Sequence, residues 1–142
     1  MDRIKVMVVD DSVVVRKIVT DVLSDDPASE VVGTAVNGKV AVAKLEQLKP
    51  DLVTMDIEMP EMNGIEAVRA LRRTHPRLPV VMLSTLTDRG ASAALEALAA
   101  GASDHVAKPS NVGSIARSRS GLRDQLIPKL KALVPADTGG AA

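Results

Sequence analysis

Asp10, Asp11, Asp56 and Lys108 are the residues of this chain best placed to do chemistry, because each closes a short apolar run. Asp10-Asp11 follows Ile4-Lys5-Val6-Met7-Val8-Val9, Asp56 follows Asp51-Leu52-Val53-Thr54-Met55, and Lys108-Pro109 follows a run around His105-Val106. Near-continuous apolar stretches of strand length, rich in β-branched residues and followed by helical sequence, are the pattern of buried parallel strands. Ligands of open α/β sheets bind beyond the carboxyl ends of the strands, so these groups should converge on one site. Carboxylates gathered there repel one another and resist ionisation unless a cation joins them. A donor set of oxygen alone, with no Cys or His, suits a hard ion, Mg²⁺ in the first place or Mn²⁺. The implied chemistry is metal-dependent phosphoryl handling.

The elements that must position these groups alternate five times. Strands are expected at 4–9, 30–36, 51–55, 79–83 and 104–106, and helices at 12–24, 38–48, 64–74, 88–100 and 116–133. Asp25-Asp26-Pro27, Lys49-Pro50, His75-Pro76 and Gly101 punctuate the joins. Such alternation implies an α/β fold with a parallel sheet covered on both faces. Right-handed crossovers then favour a five-stranded, doubly wound sheet of flavodoxin type with five flanking helices. Leu122, Leu126, Leu130 and Leu133 keep helical spacing, but Pro128 inside that run predicts a kink or a break. The expected domain is 1–134, with 135–142 a linker or disordered tail.

At 142 residues the chain can bury one core, which must be built from Val, Leu, Ile, Ala and six Met, because Phe, Tyr and Trp are absent. The absence of Cys excludes a disulfide framework and thiolate metal sites. No signal pattern opens the chain, and no run approaches the roughly 20 apolar residues of a membrane span. A cytoplasmic protein without membrane contact is expected. The net charge is zero, but residues 1–63 hold 12 acids against 7 bases, and residues 64–142 hold 6 against 11. Arg117, Arg119, Arg123, Lys129 and Lys131 make up part of the second excess. They read as a solvated helix face. Nucleic-acid binding is not expected, since there are no aromatics on which bases could stack.

Asp56-Ile57-Glu58-Met59-Pro60-Glu61-Met62-Asn63-Gly64 joins a strand end to a helix start. Pro60 presets a turn, and Asn63-Gly64 tolerates the left-handed backbone of tight loops. Alone, this is equally an ordinary βα loop with a capping carboxylate. With Asp10, Asp11 and Lys108 at neighbouring strand ends, the loop reads as holding Asp56 at the sheet edge and aiming a backbone carbonyl at a metal.

The set Val9-Asp10-Asp11-Ser12, Asp56 with Pro60 and Gly64, Ser84, and Lys108-Pro109 resembles the receiver domain of bacterial response regulators over roughly residues 3–133. Val31-Val32-Gly33-Thr34-Ala35, Val53 to Pro60, Val81 to Thr87 and Lys108-Pro109-Ser110 make it most similar to the receiver of the chemotaxis protein-glutamate methylesterases. The resemblance implies that Asp56 is a phospho-acceptor, a carboxylate nucleophile that forms an acyl phosphate. It implies that Asp11, Asp56 and the Glu58 backbone carbonyl ligate Mg²⁺, with Asp10 helping to hold the ion. Lys108 and Ser84 would each meet a phosphoryl oxygen. The phosphodonor would be a histidine kinase or a small acyl phosphate, and the output partner would meet the 88–133 face.

In receivers an aromatic on the fifth strand commonly follows the Ser84-type hydroxyl inward. His105 stands there instead, either as a pH-sensitive switch residue or as a plain half-exposed strand residue. Gly33-Thr34-Ala35-Val36-Asn37-Gly38-Lys39 imitates the front of a P-loop, but Val40 replaces the Ser or Thr that would bind Mg²⁺. No Gly-x-Ser-x-Gly elbow occurs and the only histidines are His75 and His105, so no hydrolase residues are expected here. Only Mg²⁺-dependent self-phosphorylation and dephosphorylation are expected as reactions. An aspartyl-phosphate phosphatase is disfavoured because Glu58 stands where such enzymes usually carry a second Asp. The leading expectation is a phosphorylation-dependent receiver of a chemotaxis system that switches a methylesterase output domain outside this chain. The alternative is a stand-alone receiver acting as a phosphate shuttle or partner-binding switch.

Overall fold

A computed structural model of the chain describes residues 3–109 and 114–134. The expected tail at 135–142 and the Ser110 end of the last motif lie outside the described residues. In chain order the elements are β1 (Ile4–Val9), α1 (Val13–Asp25), β2 (Ser29–Ala35), α2 (Gly38–Leu48), β3 (Leu52–Asp56), α3 (Gly64–Thr74), β4 (Val80–Ser84), α4 (Asp88–Ala100), β5 (Asp104–Ala107) and α5 (Ile115–Leu133). The sheet is parallel in the order β2-β1-β3-β4-β5, the doubly wound order expected.

Local chemistry sets the element ends. Ser12, Asn37, Asn63, Thr87 and Ser114 each cap a helix by accepting a backbone N–H three residues on. Asn63 and Glu66 complete a reciprocal capping box at α3. The expected punctuation supplies the other ends, since Asp26, Lys49, His75 and Gly101 are the C-caps of α1 to α4.

Alternation along the strands feeds two cores. Ile4, Val6 and Val8 of β1 join Leu52, Val81 and Leu83 against α1 and α5. Met7, Val9, Val53, Met55, Val80 and Met82 pack on the opposite face against α2, α3 and α4. Burial on both faces explains why these strands read as continuous apolar runs.

Two local expectations need correction. Of the kink or break expected at Pro128, the break does not occur: α5 continues through it as one helix to Leu133. Leu126 and Leu130, both fully buried against the sheet, flank the proline, and this packing outweighs the missing backbone donor. The left-handed residue of the β3–α3 loop is Glu61, with φ 68°, rather than Asn63 or Gly64. The sequence also gave no hint that β2 carries a register shift: Val6 pairs with Val31, but Met7 pairs with Gly33.

Candidate functional site

The carboxyl ends of β1, β3 and β5 carry the predicted groups to one edge of the sheet. Asp10 follows β1 and is fully buried, Asp11 is exposed beside it, and Asp56 ends β3 with 2% of its surface exposed. Carboxylate oxygens of all three lie within 4.8 Å of one another. Lys108, just past β5, brings its Nζ to 3.0 Å from Asp56 Oδ2 and 3.8 Å from Asp10 Oδ2.

The surrounding backbone fixes these positions. The Ser12 N–H donates to Asp10 Oδ1 at 2.8 Å, and the Arg16 guanidinium donates to the Asp10 carbonyl at 2.8 Å. Lys108 N–H donates to the Ser84 carbonyl at 2.7 Å, which holds the lysine against the end of β4. Gly64 N–H donates to the Ile57 carbonyl at 2.7 Å. A Cβ at Gly64 would stand 2.2 Å from the Asp56 carbonyl oxygen, so only glycine lets α3 start this close to the strand end.

One ammonium does not neutralise three carboxylates. Burial, with the Asp10 carboxylate next in effect, pushes the Asp56 carboxyl up to about 7 against the pull of Lys108. Burial also raises Asp10, against the opposing Ser12 N–H and Lys108. For Lys108, burial alone would lower the value, but its hydrogen bond to Asp56 and the nearby carboxylates leave it raised. Asp10 Oδ2 is buried without a hydrogen-bond partner. An orphaned buried oxygen and surplus negative charge both call for a further cation, and an all-oxygen donor set fits a hard divalent ion.

Ser84 and Glu58 join Asp56 and Lys108 around a small cavity of about 30 Å³. His105 does not line it. It borders an adjacent groove of about 520 Å³ between α4 and α5, which it shares with Ser84, Leu86, Gln125 and Lys129. The His105 N–H donates to Asp104 Oδ1, and its carbonyl accepts from Lys129 at 3.0 Å. Burial would raise Asp104, but Lys129 and that N–H together hold it below its ordinary value. In the basic stretch, Arg119 pairs with Asp21, Lys129 with Asp104 and Lys131 with Asp26, so much of its charge is answered within the domain.

Sequence reasoning missed several supporting residues. Gly90, in the first turn of α4, lines the small cavity, and a Cβ there would stand 2.2 Å from the Thr85 carbonyl oxygen. Arg89 pairs with Glu58 at 3.4 Å across the loop that carries the site. The P-loop imitation is also explained by packing, because Gly33 lies in β2 where a Cβ would meet Leu48 Cδ1 at 2.6 Å.

Residues 6–118 match the family model of the response regulator receiver domain. The chain is 64% identical over 135 residues to a protein-glutamate methylesterase/protein-glutamine glutaminase of Nocardioides sp., covering 95% of this chain and 37% of that protein. It is 44% identical over 129 residues to the corresponding protein of Pyrococcus horikoshii, covering 91% and 34%. Among solved structures, the response regulator domain of Thermotoga maritima CheB is 40% identical with a TM-score of 0.81, over 92% of this chain and 96% of that one. The Vibrio cholerae chemotaxis protein CheY4 is 31% identical with a TM-score of 0.74, over 93% and 99%. This chain thus spans little more than a third of the methylesterases it matches. With its doubly wound sheet and acidic edge, the chain belongs to the response regulator receiver domain family, and within it to the receivers of the chemotaxis protein-glutamate methylesterases.

Proposed function

We propose that this domain, residues 1–134, accepts a phosphoryl group on Asp56 and thereby controls a methylesterase unit. The observation that carries the reading is the Asp56 carboxylate itself. It is buried at a strand end, bonded to Lys108 at 3.0 Å and grouped with Asp10 and Asp11. A histidine kinase is the proposed donor. In the transfer, an Asp56 oxygen attacks phosphorus, the P–N bond of the donor breaks with its electron pair passing to the imidazole, and an acyl phosphate forms. Phosphoryl transfer asks the protein mainly for positioning and charge neutralisation, and the site has groups for both.

Asp10, Asp11, Asp56 and the Glu58 backbone carbonyl would hold Mg²⁺, or Mn²⁺ in its place. When bound, the ion would supply the positive charge that Lys108 alone does not. Lys108 neutralises the phosphoryl group from the β5 side, and the Ser84 hydroxyl accepts a position beside it. Ser84 also borders the α4–α5 groove, so drawing it inward changes the face made by 88–133. His105, on the same groove, takes the switch position, and that face meets the output partner. Among the described residues no helix is long and apolar enough to cross a membrane. A cytoplasmic setting is part of the proposal.

Fluorine NMR with beryllofluoride and Mg²⁺ tests the reading without a cognate kinase. Slowly exchanging bound resonances are expected for the native chain and none for Asp56→Ala. Equal spectra from the two proteins would overturn it.

A further inference from the structure

Glu58 and Arg89 form an ion pair that the catalytic reading leaves unused. Glu58 Oε1 lies 3.4 Å from an Arg89 terminal nitrogen, linking the β3–α3 loop to the first turn of α4. Both side chains are exposed, and both line a groove of about 470 Å³ that also holds Glu96. Glu58 borders the small cavity of Asp56 and Lys108 as well, so it lies where that cavity meets the open groove, with Arg89 on the groove side.

The position gives the pair electrostatic leverage. Glu58 is two residues from Asp56 and lines the same small cavity as Asp56 and Lys108. A phosphodonor is an anion, and it approaches a site that already holds three carboxylates against one lysine. A bare Glu58 would add a fourth negative charge on its path. Arg89 answers that charge from α4.

We propose that Arg89 promotes phosphorylation, because it neutralises Glu58 and so admits anionic phosphodonors to Asp56. The proposal rests on the phospho-acceptor reading above. Arg89 touches neither the donor nor the reacting atoms in the transfer and acts through Glu58. Its effects on donor and metal therefore carry opposite signs. Removing the arginine makes the mouth more negative, which repels the donor but favours a divalent cation. Removing the glutamate charge does the reverse, while the Glu58 backbone carbonyl remains.

The test is the rate of Asp56 phosphorylation by acetyl phosphate at saturating Mg²⁺, followed by intact mass, with Mg²⁺ affinity measured separately by calorimetry. Arg89→Ala is expected to slow labelling about threefold, the scale of an exposed ion pair, and to tighten Mg²⁺ binding. Glu58→Gln is expected to speed labelling and weaken Mg²⁺ binding, and a gain in rate is not something misfolding produces. Arg89→Ala with Glu58→Gln should return close to the native rate, and the single effects should shrink at high salt. Unchanged rates in both single variants, or rate and Mg²⁺ affinity moving in the same direction, would overturn the proposal. If the native chain is not labelled by acetyl phosphate and does not bind beryllofluoride, the phospho-acceptor reading fails and this proposal falls with it; beryllofluoride binding without acetyl phosphate labelling fails the Arg89 proposal alone. Labelling of the native chain with unresponsive variants fails the Arg89 proposal alone.

Discussion

Lys108 Nζ donates to Asp56 Oδ2 at 3.0 Å although the two residues lie 52 positions apart on strands separated by β4. The contact exists because both residues sit at carboxyl ends of parallel strands, where a doubly wound sheet gathers what its loops carry. The pair is incomplete, since the lysine is shared with Asp10 and the carboxylates outnumber it. That imbalance is the physical basis of the first prediction.

Without a divalent ion, the site should cost stability as pH rises. The Asp56 carboxyl moves from an ordinary value of 3.8 to about 7 in the folded chain. Between those values the folded chain holds a proton that the unfolded chain releases. Stability therefore falls across that window and levels off above it, by at most about 4 kcal/mol. Asp56→Asn should raise Tm in EDTA at pH 8, with the advantage fading toward pH 4, where both forms are neutral. Mg²⁺ should close the gap by stabilising the native chain. Thermal melts across that pH range check this; an Asp56→Asn variant no more stable than the native chain at pH 8 would refute it.

The Asp56 loop depends on glycine at position 64. Gly64→Ala places a Cβ 2.2 Å from a backbone oxygen that cannot move without moving Asp56. A loss of about 2 kcal/mol is expected in urea unfolding, the scale of overpacking in a rigid site. A loss below about 0.5 kcal/mol would mean that the loop yields and that the close approach is incidental.

Thr54 lies in β3 with its hydroxyl fully buried and without a hydrogen-bond partner. Strand alternation puts it on the same face as Leu52, among the aliphatic side chains against α1 and α5. Thr54→Val keeps the shape and removes the orphaned oxygen. It should stabilise the domain by about 1 kcal/mol, seen as a higher urea midpoint with an unchanged slope. A destabilised variant would show that the hydroxyl has a partner, such as a bound water.

As the switch residue, His105 should move its ring out of the α4–α5 groove on activation. Beryllofluoride with Mg²⁺ should therefore shift the His105 ring resonances of the native chain and leave those of Asp56→Ala in place. Unchanged resonances in the native chain would make His105 a bystander.

The reach of the sequence follows from what is local. Pro27, Pro50, Pro76 and Gly101 mark the helix exits because they act on their own backbone, and C-caps fall at or next to each of them. The strand ends carrying Asp10 and Asp56 were legible because a strand buried on both faces is apolar until it stops, whereas β5, which buries only Val106, announces Lys108 far less clearly. Non-local features were not legible. The register shift opposite Val6 belongs to a pairing of two strands, the continuity of α5 through Pro128 to its burial against the sheet, and the Glu58–Arg89 pair to a contact 31 residues apart. Gly64 was visible as a glycine, but its role is close approach to Asp56 rather than a left-handed turn.

The most direct measurement of the central claim is intact mass after incubation with acetyl phosphate and Mg²⁺, with EDTA and Asp56→Asn as controls. A single labile phosphoryl adduct that vanishes in both controls is the predicted result. An adduct that survives Asp56→Asn, or no adduct with either acetyl phosphate or a beryllofluoride mimic, would contradict it.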